Sequence, residues 1–184
     1  EFRGSAALLN FRGAVKLALG KDDEGIRDYK KAIAIDPKSA DAHNNLGLAL
    51  QKIHKTDAAL DSFKEAIASD ASYSKAYANV GNVLSIQGKW SDSLAWYEKA
   101  LSLDPNLINA LSGMSQSLFN MSQFEQALVP LNMVLRADSK NVGAHYIKGN
   151  ILLAQRDFAE AILWYQKTID LDSNFAEVHN NLGA

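Results

Sequence analysis

Three of the four histidines, the residues best suited to metal or acid–base chemistry, lie in one register. His43, His145 and His179 are separated by whole multiples of 34 residues. An imidazole can ligate a metal ion or carry a proton near neutral pH. A regular spacing of this length places the three residues on separate helices, and packed helices lie about 8–10 Å apart. We therefore expect each histidine to pack or hydrogen-bond on its own, and we predict no metal site.

Other catalytic groups are scarce. The chain has no cysteine, which excludes a thiol nucleophile, a thiolate zinc site and a disulfide framework. It has no HExxH motif, no nucleophile elbow and no glycine-rich phosphate loop. The adjacent carboxylates Asp22 and Asp23 are expected in a loop and indicate no particular reaction. The sequence predicts no catalytic residue and no cofactor, and hence a protein that is not an enzyme.

Composition narrows the class of partner. The chain has 184 residues, 19 basic and 21 acidic, for a net charge of −2, and 47% of the residues are hydrophobic. The balance offers no basic footprint for nucleic acid or anionic lipid, and the hydrophobic content disfavours wholesale disorder. No apolar run reaches the ~18 residues that a membrane span needs. We expect a protein or peptide partner, no nucleic acid, no membrane and a cytoplasmic location.

A 34-residue repeat organises the chain. One column of it is almost entirely glycine, with a serine in the single gap: Gly13, Gly47, Gly81, Ser115, Gly149 and Gly183. A second column is aspartate without exception: Asp36, Asp70, Asp104, Asp138 and Asp172. A third is mostly aromatic: Tyr29, Phe63, Tyr97, Leu131 and Tyr165. Several aligned columns at one period are the signature of a repeat protein.

The register of the glycines defines the domain organisation. Counting the glycine as position 8, the repeats span 6–39, 40–73, 74–107, 108–141 and 142–175, and a truncated sixth spans 176–184. We expect residues 1–5, Glu1-Phe2-Arg3-Gly4-Ser5, to be a cloning scar. The array then covers 6–184.

Each repeat is predicted to fold as two helices. In the second repeat, Leu46, Leu50 and Ile53 follow the 3–4 spacing of one helical face, and Phe63 and Ile67 continue it after a break. Glycine often occurs at the break within a repeat, and Asp-Pro at the break between repeats. No alternating strand pattern is present, so the fold class is all-α.

These columns resemble the tetratricopeptide repeat, TPR. The period, glycine at position 8, small residues at 20 and 27, an aromatic at 24 and proline at 32 match that family, and "SDSLAWYEKALSLDP" at 91–105 is close to its pattern. The resemblance implies a right-handed α-solenoid of stacked helix-turn-helix units. First helices line a concave groove in such arrays, and the groove commonly binds peptides.

The resemblance also implies which residues face the groove, namely those at positions 2, 5, 6, 9, 12 and 13. In this chain they are rich in amides, and the predicted peptide-groove residues are Asn10, Asn44, Asn45, Lys75, Asn79, Asn82, Asn109, Ser112, Gln116, Tyr146, Asn150, Asn180 and Asn181. An amide offers two donors and two acceptor lone pairs, so a row of amides can bind the backbone of an extended peptide. The arrangement partly resembles the asparagine ladder of O-GlcNAc transferase. The alternative is that asparagine here is ordinary family background.

Two features depart from a plain scaffold. Trp96 and Trp164 share position 23, and they either form an aromatic patch on the convex side or pack against adjacent helices. The fourth repeat has Ser115 and Leu131 in place of glycine and an aromatic, and Pro130 lies inside its second helix. A proline there deletes a backbone hydrogen bond, so we predict a kink in that helix.

Three functions remain open at this point. The first is an interaction scaffold or adaptor that binds a peptide or protein segment in the concave groove. The second is the substrate-recruiting arm of a larger enzyme, such as a glycosyltransferase. The third is a self-association module, in which a homo-oligomer forms through the truncated C-terminal repeat.

Overall fold

The computed structural model describes residues 2–183 of the chain, and the side chains of 5–178, 180 and 181. Every regular element in this range is an α-helix, so the predicted all-α class is confirmed. The helices are α1 (Phe2–Ala18), α2 (Asp22–Ile35), α3 (Ala40–Lys52), α4 (Thr56–Ser69), α5 (Ser74–Ile86), α6 (Trp90–Leu103), α7 (Ile108–Asn120), α8 (Phe124–Ala137), α9 (Val142–Ala154), α10 (Phe158–Leu171) and α11 (Ala176–Gly183).

The helices pack in two compact units. Glu1–Pro105 contains three helix pairs, α1 with α2, α3 with α4 and α5 with α6. Asn106–Ala184 contains α7 with α8 and α9 with α10, followed by α11. Each pair is a helix hairpin of the kind that the repeat predicts.

The turn inside each hairpin has one residue with a left-handed backbone at the same register, position 15. These residues are Gly20, His54, Gly88, Ser122 and Arg156, with φ between 60° and 74°. In each turn, the N–H of the following residue donates to a carbonyl five residues before it, as from Lys55 to Leu50 at 2.9 Å. This is the Schellman closure of a helix C-terminus, which satisfies carbonyls that the helix itself leaves without a partner.

The turn between hairpins depends on the aspartate column. Asp36 follows the last residue of α2, and its N–H donates to the Ala32 carbonyl at 2.9 Å. Its carboxylate accepts from the backbone N–H of Lys38 at 3.3 Å, and Asp70 accepts from that of Ser72 at 2.8 Å. A short acidic side chain can bond its own backbone two residues on, which explains why this column is aspartate.

The glycine and aromatic columns meet in the core of each hairpin. A Cβ atom at Gly47 would lie 2.5 Å from the ring of Phe63, and that ring is fully buried. The same close approach occurs for Gly13 with Tyr29, Gly81 with Tyr97 and Gly149 with Tyr165. The two helices of a hairpin can approach this closely only because one of them has no side chain at the contact.

Asp22 and Asp23 lie in the first turn of α2, so the loop predicted for them is wrong. Acidic residues in the first turn of a helix interact favourably with the helix dipole.

The α8 helix runs through Pro130 without interruption, and its length of 14 residues equals that of α4, α6 and α10. The kink predicted at Pro130 stays a prediction.

Candidate functional site

The predicted groove residues of the first unit lie on α1, α3 and α5, and several of them bond to one another. The Asn45 side-chain amide on α3 donates to the Asn10 amide oxygen on α1 at 3.1 Å, and both side chains are partly exposed. One of the several bonding positions of each amide is used in this contact. Lys75 lies in the first turn of α5 and is exposed.

A second amide pair in this unit is buried. Asn79 on α5 donates to the Asn44 amide oxygen on α3 at 2.7 Å, and the two residues are only 5% and 4% exposed. Buried amides need hydrogen-bond partners, and these two supply each other across neighbouring repeats. In this structure they therefore act as a bridge between two first helices.

Amides at position 9 are held by the aromatic column. The Tyr97 hydroxyl donates to the Asn82 amide oxygen at 2.8 Å, and the Tyr165 hydroxyl donates to that of Asn150 at 2.7 Å. Each bond joins the two helices of one hairpin. Asn181 then donates to the same Asn150 oxygen at 3.0 Å, which links α11 to α9. The tyrosines at position 24 thus orient groove amides as well as fill the core.

The other predicted residues of the second unit lie on α7, α9 and α11. Asn109 and Asn180 are exposed, and Ser112 is partly exposed. Gln116 is partly exposed as well and donates to Asn120 at 3.1 Å. The Tyr146 ring centre lies 5.1 Å from that of Phe175 and 6.2 Å from that of Tyr165, whose hydroxyl bonds Asn150.

His43 and His145 each contact a nearby backbone carbonyl oxygen through a ring nitrogen. His43 lies 3.0 Å from the Pro37 carbonyl oxygen through Nε2, and His145 lies 2.9 Å from that of Asn141 through Nδ1. The side chain of His179 lies outside the described residues. In the part of the chain that the structure describes, no group of three or more histidines, cysteines or carboxylates is placed to hold a metal ion.

The first hairpin contains an ion cluster that the sequence patterns did not predict. Asp28 on α2 is almost fully buried and accepts two bonds of 2.7 Å from the Arg12 guanidinium on α1, while Lys16 approaches it at 2.9 Å. The Arg12 hydrogen bond, with help from Lys16, holds the pKa of Asp28 well below its usual range against the opposing effect of burial. The sequence feature that could have indicated the cluster is a cation at position 7, Arg12, together with an anion at position 23, Asp28, in the same repeat.

Position 23 also contains the two tryptophans, and both pack on an aromatic at position 4 of their own hairpin. The Trp96 ring centre lies 5.9 Å from that of Tyr77, and the Trp164 ring centre lies 5.2 Å from that of His145. Both indoles remain partly exposed. These contacts agree with packing against adjacent helices, the second of the two interpretations of Trp96 and Trp164, rather than with an aromatic patch on the convex side.

The fold and this surface define a helical-repeat protein, built from helix hairpins with a period of 34 residues. Three family models match it: a TPR repeat at residues 13–53, a tetratricopeptide repeat at 45–108, and the anaphase-promoting complex, cyclosome, subunit 3 at 86–168. The chain belongs to the tetratricopeptide repeat family. Repeats of this kind form interaction scaffolds, because stacked units expose a long continuous surface. No curated protein sequence matches the chain.

Solved structures give the same fold at low identity. PilF of Pseudomonas aeruginosa superposes with a TM-score of 0.86 at 21% identity, covering 97% of this chain and 82% of PilF. PilW, a type IV pilus biogenesis factor, gives 0.86 at 17% identity, covering 97% and 86%. YrrB, a TPR protein with an unusual peptide-binding site, gives 0.71 at 18% identity, covering 96% and 91%. Among the described residues, no helix combines the length and apolarity needed to cross a membrane.

Proposed function

We propose that the protein is a non-catalytic scaffold that binds an extended segment of a partner protein across the amide-bearing faces of its first helices. The observation that carries the proposal is the Asn10–Asn45 pair, in which neighbouring first helices present partly exposed amides in mutual contact. Amides fixed in this way offer donors and acceptors to a peptide backbone at low entropic cost. The peptide-binding site named for YrrB supports this use of the fold.

The pairing of the amides narrows the contact set. Asn44 and Asn79 are buried against each other, so the peptide contacts fall on the partly or fully exposed members of the set. In the first unit these are Asn10, Asn45, Asn82 and the cation Lys75. In the second unit they are Asn109, Ser112, Gln116, Tyr146, Asn150, Asn180 and Asn181. Because only one of these residues is charged, binding depends mildly on salt.

A binding experiment with a matched control tests the proposal. A random peptide library is panned on the protein, and the affinity of a selected peptide is measured for the wild type, for N10A/N45A and for N132A. Asn10 and Asn45 lie on the first helices α1 and α3 of one unit, whereas Asn132 is an exposed asparagine on the second helix α8. The double variant should lose about tenfold in affinity, which is about 1.4 kcal/mol, and N132A should bind as the wild type does. Equal losses in both variants would remove the groove assignment.

An exposed apolar stripe on α1 favours self-association as a second candidate. Leu8 and Phe11 are 70% and 69% exposed, and Val15 continues the stripe one turn later. The residues of α3 at the registers of Leu8 and Val15, Ala42 and Ala49, are fully buried. A helix from a second copy that covers this stripe would bury it in the same way.

Sedimentation velocity of the wild type and of L8E/F11E tests the second candidate. A concentration-dependent dimer that the double variant abolishes supports it. A wild-type protein that stays monomeric at high concentration excludes it.

A further inference from the structure

Two lysines of the second unit converge on one indole. The ammonium nitrogens of Lys148 on α9 and Lys167 on α10 each lie 4.3 Å from the centre of the Trp164 ring, so they are separated by no more than twice that distance. The ring attracts both cations through its negatively polarised face. It does not neutralise them, and the position therefore has two positive charges beside an apolar surface.

Neither lysine of this cluster forms an ion pair with a carboxylate in the described range of the chain. The pKa of Lys148 is lowered first by burial and then by the charge of Lys167, while the charge of Glu160, the smallest of the three effects, opposes them. The negative charge of an anion bound in the cluster would offset both lowering effects.

The first hairpin shows what a cation at this register binds. Arg12 and Asp28 occupy positions 7 and 23 of the first repeat, which are the positions of Lys148 and Trp164 in the fifth. In the first repeat, the cation is held by the buried carboxylate of the same hairpin through two bonds of 2.7 Å. The fifth repeat keeps a cation at position 7 but has tryptophan where the carboxylate would be.

We infer that the Lys148–Trp164–Lys167 cluster is a second binding site, which takes an acidic peptide segment of a partner protein. The partner's carboxylates supply the charge that Asp28 supplies in the first hairpin. Leu163 lies one helical turn before Lys167 on α10 and is 55% exposed, so an apolar side chain next to the acidic residues also finds a contact. That neighbour favours a peptide over a free inorganic anion.

An NMR titration of the Trp164 indole N–H tests the site, with W164F used to assign the signal among the three tryptophans. The probe is a short capped peptide with glutamates flanking a leucine, and the comparison probes are the same peptide with glutamine for glutamate and inorganic phosphate. The glutamate peptide should shift the indole signal saturably, and added salt should weaken the binding because both partners are charged. The glutamine peptide should leave the signal in place.

Charge-removing variants complete the test. K148Q/K167Q should reduce the affinity for the glutamate peptide at least tenfold. K64Q/K99Q removes the same charge at exposed positions of α4 and α6 and should leave the affinity unchanged. The inference is overturned by equal binding of both peptides, by equal affinity of both double variants, by a response to phosphate as strong as to the peptide, or by no response at millimolar peptide.

Discussion

The Ser115 hydroxyl donates to the backbone carbonyl oxygen of Ala127 at 2.9 Å, across the α7–α8 hairpin, and both residues are fully buried. Ser115 stands where other hairpins have glycine, and Leu131 stands where they have a tyrosine or phenylalanine. A Cβ atom at Gly47 would lie 2.5 Å from the Phe63 ring. A leucine has no ring at that place, so it leaves space for the serine side chain. The two departures of the fourth repeat are therefore one coupled change.

This coupling predicts the behaviour of Leu131→Phe. The ring would meet the Ser115 side chain inside a packed hairpin, and overpacking of this kind costs about 1–3 kcal/mol in the free energy of unfolding. Adding Ser115→Gly restores the pairing found in the other hairpins and should recover part of that loss. Urea denaturation of the wild type, both single variants and the double variant gives the interaction energy. Strictly additive effects would show that the two positions are independent.

The left-handed turn residues give a second prediction. Arg156 has φ of 65°, and a residue with a Cβ atom pays about 1 kcal/mol for that backbone, whereas glycine does not. Arg156→Gly should therefore raise the free energy of unfolding by about 0.5–1 kcal/mol. The reverse change, Gly88→Ala, meets no atom within 4 Å and isolates the backbone effect, so it should destabilise by a similar amount. Thermal melts of both variants check the opposite signs.

Much of the fold is readable from the sequence because its columns encode geometry. The glycine at position 8 and the aromatic at position 24 define how closely two helices pack, and the aspartate column defines the turn between hairpins. His54 and Arg156 could not be recognised as left-handed from their residue types. Their register, shared with Gly20 and Gly88, was the available signal.

The candidate site was harder to predict. Repeat positions indicate which face of a helix a residue occupies, but they do not show whether its side chain reaches a neighbouring repeat. Asn44 and Asn79 were assigned to the groove together with Asn45, yet their amides are buried against each other. The Asp28 cluster was missed for the same reason, since its bonds to Arg12 depend on distances between two helices.

The Asp28 carboxylate gives a prediction about acid. Because Arg12 holds the pKa of Asp28 below its usual range, the charged carboxylate stabilises the fold at every pH above its unfolded-state pKa of about 4. That contribution is lost as the pH falls below this value. Asp28→Asn should cost about 1–3 kcal/mol at neutral pH, and the difference from the wild type should narrow in acid.

Urea denaturation from neutral pH to about pH 3 measures that difference. The matched control is Asp61→Asn on the exposed side of α4, which should follow the wild type throughout. A gap between Asp28→Asn and the wild type that stays constant with pH would rule out the ion cluster as its source.

Comparing the buried Asn79 with the partly exposed Asn45 distinguishes an asparagine that stabilises the fold from one that binds a peptide. Asn79→Ala leaves the Asn44 amide without the donor that now lies 2.7 Å from it, and a buried polar group so deprived costs about 1–3 kcal/mol in stability. Asn45→Ala removes a partly exposed amide, so its cost in stability should be small. The two variants should have the opposite order in peptide binding, with affinity measured at a temperature where both are fully folded. An Asn79→Ala variant that keeps its stability but loses affinity would place Asn79 among the peptide contacts and make the buried bridge dispensable.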